Sequence, residues 1–264
     1  MIRRFVRQML VSLAVFAGVL FAFSRVDWMQ VFGLDHGIIE EKLGEMYWEL
    51  FSESEVFVDD DTLIAPLDTL FSALCQANGI DRNEVALHLV ECEEVNAYAC
   101  PGNHLVVYTA LVAECRSEAE LCGILAHELA HIERGHVMQK LVKELGVATL
   151  AAMLADGGAL TEVMQVLTST AYDRTLEAEA DDVAVHYLLA AGIDPRPFGD
   201  FLLRLSQEED LPALAEWIST HPDSKKRVQA IYTLAEGEGH NSAFRSLMPE
   251  DEWEAYRLRF VKVK

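Results

Sequence analysis

One eight-residue stretch, Leu125-Ala126-His127-Glu128-Leu129-Ala130-His131-Ile132, constrains this chain more than any other. It sets a His-Glu-x-x-His pattern among good helix formers. Residues four apart on an α-helix stand one turn apart on the same face, so His127 and His131 can aim their imidazoles at one point. That point can hold a zinc ion. Glu128 follows the first histidine by about 100° of rotation, where its carboxylate can reach a water on the metal without ligating it, as a general base must. Ser117-Glu118-Ala119-Glu120 is a Ser-x-x-Glu capping box ahead of this run, and predicts a helix to about Val142 independently of the motif. Leu121, Leu125, Leu129 and Ile132 make its core stripe, so the helix should be buried.

Two histidines do not complete a hydrolytic zinc site, which usually takes three protein ligands and leaves a fourth position open. His136 is near in sequence, but nine residues after His127 is about half a turn away in angle, so on a continuous helix it faces the opposite side. A better source lies in Asp173-Arg174-Thr175-Leu176-Glu177-Ala178-Glu179-Ala180-Asp181, where Glu177 and Asp181 share a helix face. Glu177 would bind the metal, and Asp181 would accept a hydrogen bond from a ligand histidine and fix its tautomer. The alternative is a solvated acidic face, which is how Glu179 and Asp182 are read.

With these residues in view, the chain resembles the gluzincin-type, membrane-associated metallopeptidases that include HtpX, BepA, the CAAX prenyl protease and the mitochondrial Oma-type proteases. The resemblance spans roughly Ile80 to Tyr232 and rests on four segments in the family's order. These are Asn96-Ala97-Tyr98-Ala99-Cys100-Pro101-Gly102, the zinc helix, Arg174 through Asp181, and Ser219-Thr220-His221-Pro222. Asn103 departs from the usual second Gly, though Asn tolerates a left-handed backbone, and Asp173 stands where Ser is common. The resemblance implies an α+β, mostly helical gluzincin-type domain with a small antiparallel sheet of three to four strands beside the zinc helix. It also implies one zinc per chain held by His127, His131 and Glu177, with Glu128 catalytic. His221 then either stabilises the oxyanion or fills the open zinc position in a resting enzyme; by its residues alone, His221-Pro222-Asp223 also reads as a helix start. Asn96, Ala97, Tyr98 and Ala99 would form an edge strand that pairs with the backbone of an extended polypeptide substrate.

The rest of the chain is read from composition and periodicity. Arg3, Arg4 and Arg7 precede the fifteen apolar residues Met9 to Phe23, a segment that reads as a retained membrane anchor or, alternatively, a cleaved signal peptide. Either way the arginines stay in the cytoplasm, so in a bacterial cell the domain lies in the periplasm or outside. The expected organisation is an anchor over residues 1–30, a peptidase domain over 31–235 and an unassigned polar tail over 236–264. A net charge of −22 repels nucleic-acid backbones, and no nucleic-acid partner is expected.

Leu34 to Ser52 should be an amphipathic helix with Ile38, Leu43, Met46 and Leu50 available for burial, and another helix should run from Asp61 to Ala77 around Pro66. Three strands follow, Val85 to Val90, Glu94 to Cys100 and His104 to Tyr108, with His104 structural. Asp156, Gly157, Gly158 and Glu162 split the apolar stretch from Val147 to Leu167 into two helices with a joint, a candidate lid too interrupted to cross a bilayer. A ligand-bearing helix should span about Thr170 to Ala191 and stop at Gly192, with a further helix from Phe198 to Glu208. Five cysteines lack Cys-x-x-Cys spacing, and Cys92 with Cys100 is the candidate disulfide. The reading is a zinc endopeptidase of misfolded or unassembled envelope proteins; the rival is a non-hydrolytic envelope chaperone with a structural zinc.

Overall fold

The computed structural model describes residues 36–156, 160–207, 215–222, 224–238 and 243–261. The expected anchor and the joint at Gly157-Gly158 lie outside them. The chain divides into two compact units, Met1–Glu40 and Glu41–Lys264, and the second holds the sheet and every helix from Asp61 onwards. In chain order the helices and strands are α1 (His36–Ser54), α2 (Asp61–Ala77), β1 (Ala86–Val90), β2 (Ala97–Cys100), β3 (His104–Tyr108), α3 (Thr109–Glu114), α4 (Glu118–Glu133), α5 (His136–Leu145), α6 (Val147–Asp156), α7 (Leu160–Ser169), α8 (Arg174–Ala191), α9 (Arg196–Gln207), α10 (Ala215–Thr220), α11 (Ser224–Glu238) and α12 (Glu250–Arg257). Among the described residues no helix is long and apolar enough to cross a membrane.

Helix α4, which carries the His-Glu-x-x-His stretch, is the centre of the packing. It packs against α8, α9, β2, α2 and α5. Ser117 caps it, its Oγ accepting from the Glu120 backbone N–H at 3.2 Å, while Glu120 Oε2 accepts from Arg116 N at 2.8 Å. Every residue from Glu120 to Ile132 is buried, polar ones included, which is why the helix carries little amphipathic signal. Its expected end at Val142 is wrong. Gly135 takes φ +64°, closes α4 and starts α5 in a new direction, at the left-handed geometry that glycine adopts without strain.

The sheet has the order β1-β3-β2. β2 and β3 form the expected antiparallel hairpin through Pro101-Gly102-Asn103, with Gly102 at φ 77° and Asn103 at φ 58°. β1, however, runs parallel to β3, so the sheet is mixed where an antiparallel one was expected. The chain reaches β2 from β1 by passing beyond the position that β3 later fills, and this placement also separates Cys92 from Cys100. All five cysteines are free.

Helix α1 covers the hairpin, but with a different stripe from the expected one. Leu43, Tyr47 and Phe51 are buried, whereas Met46 and Leu50 are only partly so. The aromatic rings decide this, because Tyr47 and Phe51 stack at 5.5 Å and Phe51 meets Tyr98 of β2 edge-on. Trp48 lies flat against His104 and His88, whose Nδ1 and Nε2 are 2.9 Å apart. Gly44 allows the close approach, since a Cβ there would stand 2.6 Å from Gly102 Cα. The residues after Glu236, left unassigned by the sequence, include α12, whose Trp253 is buried and whose Tyr256 hydroxyl donates to Leu63 O at 2.7 Å.

This packing can be tested at two positions. Gly123 of α4 faces α9, and an added Cβ would stand 2.3 Å from Phe198 Cβ. Alanine gains about 1 kcal/mol in helix propensity but incurs about 1–3 kcal/mol of overpacking, and at 2.3 Å the clash involves an atom one bond from the backbone. Gly123→Ala should therefore destabilise the chain by about 1–2 kcal/mol, read as a lower urea midpoint at unchanged slope. Burial, aided by His104 and Arg82, pushes His88 from 6.5 down to about 4. The fold favours its neutral form, so the unfolded chain takes up a proton first and stability falls as pH drops from 6.5 towards 4. Urea midpoints between about pH 7 and 4 should show this loss, and His88→Phe should reduce it.

Candidate metal centre

The site is built by four segments that the packing of α4 brings together. His127, Glu128 and His131 come from α4, Glu177 and Asp181 from α8, His221 from the segment after α10, and Arg227 from α11. His127, Glu128, His131 and His221 are 0% exposed, Glu177 1% and Asp181 2%. Donor atoms of His127, His131, Glu177 and His221 lie within 4.8 Å of one another.

Donor spacing tests whether this set fits a metal ion. His127 Nε2 and His131 Nε2 are 3.1 Å apart, His131 Nε2 and Glu177 Oε1 3.3 Å, and His127 Nε2 and Glu177 Oε2 3.7 Å. His221 Nδ1 stands 3.3 Å from His127 Nε2 and 2.9 Å from Glu177 Oε1. A tetrahedral zinc with nitrogen and oxygen ligands at about 2.0–2.1 Å places its donors roughly 3.3 Å from each other. The set fits, and four donors converge rather than three.

The converging donor residues are held from behind. His127 presents its other nitrogen, Nδ1, to Asp181 Oδ1 at 3.0 Å. His131 Nδ1 lies 3.1 Å from His136 Nδ1. The expectation that His136 faces away is therefore overturned, because it assumed an unbroken helix and the turn at Gly135 swings α5 back over the site. Glu179, expected on a solvated face, approaches His136 Nε2 at 3.7 Å but stays nearly half exposed. Tyr172 stacks on His131 at 4.1 Å, and Lys140 Nζ lies 4.2 Å over the Tyr172 ring while donating to Leu167 O at 3.1 Å. Burial lowers Lys140 to about 8 against the pull of Glu128 and Glu177.

Arg227 is the group that sequence reasoning missed. Its Nε and Nη2 donate to the two oxygens of Asp181 at 2.6 and 2.8 Å, and its Nη1 contacts Glu177 Oε2 and donates to His221 O at 3.2 Å. The only signal available was its position one turn into the helix that Pro222 precedes.

The two buried glutamates are tuned in opposite senses. Burial pushes Glu128 up to about 7, partly offset by His127. For Glu177 burial acts in the same sense, but His221, Arg227 and hydrogen bonds outweigh it and hold the carboxyl well below its ordinary range. Glu128 Oε2 accepts from Ala99 N at 3.0 Å, and Oε1 lies 3.5 Å from His221 Nε2. Ala99 belongs to β2, an outer strand of the sheet as expected. Tyr108 N donates to Asn96 O, so by antiparallel alternation Asn96, Tyr98 and Cys100 pair with β3 while Ala97 and Ala99 turn their amides outward. Asn96, Ala97, Tyr98 and Ala99 are all buried, so the strand edge is closed in this conformation.

A His-Glu-x-x-His helix completed by a glutamate from a second helix defines a gluzincin-type metal centre. Comparison with known proteins agrees: a family profile, Peptidase family M48, matches residues 65–235, and the chain belongs to that family. Metalloendopeptidase OMA1, mitochondrial, of Bos taurus is 27% identical over 246 residues, covering 82% of this chain and 47% of the relative. The beta-barrel assembly-enhancing protease of Yersinia pestis is 27% identical over 202 residues, covering 69% and 41%. Mitochondrial metalloendopeptidase OMA1 of Arabidopsis thaliana is 31% identical over 140 residues, covering 52% and 29%. The chain thus spans less than half the length of these curated relatives.

His127→Ala, His131→Ala and Glu177→Ala should each abolish stoichiometric metal binding. Asp181→Ala and His136→Ala should instead weaken it by about 10–100-fold, since they orient ligands without being ligands. Metal analysis after dialysis against a competing chelator distinguishes the two groups.

Proposed function

We propose that this chain is a zinc-dependent endopeptidase whose described conformation is a closed, resting one. The observation that carries the reading is the convergence of His127, His131 and Glu177 beside a glutamate that has one oxygen on the edge-strand amide of Ala99 and the other directed towards the metal group. Zinc held there supplies Lewis acidity to a water and to a substrate carbonyl. Glu128, raised towards neutrality by burial, takes the proton of the attacking water and delivers it to the leaving amine. Its contact with Ala99 ties the base to the strand along which an extended polypeptide would lie, so the scissile bond and the base share one frame of reference.

His221 fits the resting role better than the oxyanion role. Its Nδ1 stands among the donors at tetrahedral spacing, so it fills the position that a water would need. The complete burial of the centre and of β2 supports the same reading. Turnover then requires the Thr220-His221-Pro222 segment to withdraw and leave the fourth position free. From its new place His221 would donate to the oxyanion.

Substrates are proposed to be misfolded or unassembled proteins of the cell envelope, and the domain to lie beyond a membrane held by the basic and apolar N-terminal segment. The names of the relatives, a beta-barrel assembly-enhancing protease among them, support this. The chaperone reading finds no comparable support in the family assignment.

Glu128→Gln separates chemistry from binding. The amide is nearly isosteric and is not among the donors, so the variant should keep the fold and its zinc while cleavage of an unfolded protein falls by at least about 10²–10⁴. Undiminished cleavage by a zinc-loaded Glu128→Gln protein would sink the peptidase mechanism.

A further inference from the structure

Arg227 touches three groups in and behind the metal site at once, two on helix α8 and one on the segment after α10. It grips both oxygens of Asp181, which orients His127; it contacts Oε2 of Glu177; and it donates to the backbone carbonyl of His221. The guanidinium is itself buried, 5% exposed. A planar fork of five donors suits this task and an ammonium does not, because the three contacts lie in different directions around one group.

The division of labour on Glu177 is the specific point. Oε1 faces His131 Nε2 at 3.3 Å and His221 Nδ1 at 2.9 Å, while Oε2 lies against Arg227 and stands farther from the nearest ligand nitrogen, 3.7 Å from His127 Nε2. Resting on the zinc endopeptidase reading, we propose that Arg227 is the positioning residue of the centre: by occupying Glu177 Oε2 it makes Glu177 a one-oxygen ligand and keeps the site four-coordinate. The same guanidinium ties that oxygen to the carbonyl of His221, so it also fixes the distance between the ligand helix α8 and the segment bearing the fourth donor. Without the fork, both oxygens of Glu177 are free to reach the metal, and the coordination number rises.

The full chain is tested with zinc and with cobalt(II), whose visible absorption is intense in four-coordinate sites and weak at higher coordination. Arg227→Met should lower zinc affinity by about 10–100-fold in a chelator competition, and its cobalt form should lose visible intensity relative to the unmutated protein. Arg227→Lys restores the charge but not the fork, so it should recover most of the affinity and keep the weakened cobalt spectrum. Circular dichroism checks that each variant is folded. If Arg227→Met does not fold, the cobalt spectrum of Arg227→Lys decides alone. A lysine variant indistinguishable from the unmutated protein in both affinity and spectrum would show that only charge matters and overturn the proposal. An unmutated chain that takes up neither metal would overturn the zinc reading itself, a separate failure from one in which metal binds and Arg227 proves indifferent.

Discussion

Three carboxylates, those of Glu128, Glu177 and Asp181, are sealed from solvent within one small region, and the surrounding structure is organised to tolerate them. An isolated ionised carboxylate in a protein interior costs several kcal/mol even after relaxation, so each must find a counter-charge or take up a proton. Arg227 serves two of them. Its bidentate grip on Asp181 offsets the burial there, its contact with Glu177 adds to the larger effect of His221, and each carboxyl ends below its ordinary range. Glu128 has no such partner and is raised to about 7. From the same residue type the fold thereby obtains one buried carboxyl held below its ordinary range, where His221 and Arg227 face Glu177, and one raised towards neutrality, where burial dominates at Glu128.

The closed state proposed here would depend on the same charges. His221 bridges the two glutamates, with Nδ1 at 2.9 Å from Glu177 and Nε2 at 3.5 Å from Glu128. Its backbone is held by Arg227, and its own N–H donates to Trp217 O at 2.9 Å, while Trp217 stacks on the ring at 4.4 Å. Opening must break these contacts together, so the segment is suited to two discrete positions rather than gradual displacement. Every 1.4 kcal/mol or so by which the closed state is preferred reduces the competent population about tenfold. On the proposed reading, activity would be restrained by packing, and a substrate that bound the strand edge and the open metal position would shift the balance by its differential affinity for the open state.

Much of this was legible in the sequence where the signal is local. The capping box, the spacing of His127 and His131, the pairing of Glu177 with Asp181 and the turn at Gly102-Asn103 each depend on residues within one helix or one hairpin, and the structure has them as read. What was misread involves relations between elements. Gly135 looked tolerable inside a helix, and only the direction of α5 reveals that it ends α4 and returns His136 to His131. The parallel pairing of β1 with β3 was hidden because periodicity carries no information on which strand lies between the other two.

Arg227 shows why this boundary is physical. An arginine near the start of a helix with Lys225 and Lys226 beside it is ordinarily solvated, and nothing in the spacing of α11 sets it apart. Its burial is imposed from outside. α8 packs on α11 with two buried carboxylates against Arg227, one of which would have to stay ionised to bind a metal and the other to orient His127. Periodicity reveals which face of a helix is apolar, but it cannot reveal which charge lies across from that face. The compensating cation of a buried acidic group is therefore identifiable only once the helices are assembled, and the same holds for Lys140, whose partners are the Leu167 carbonyl and the ring of Tyr172 on other segments.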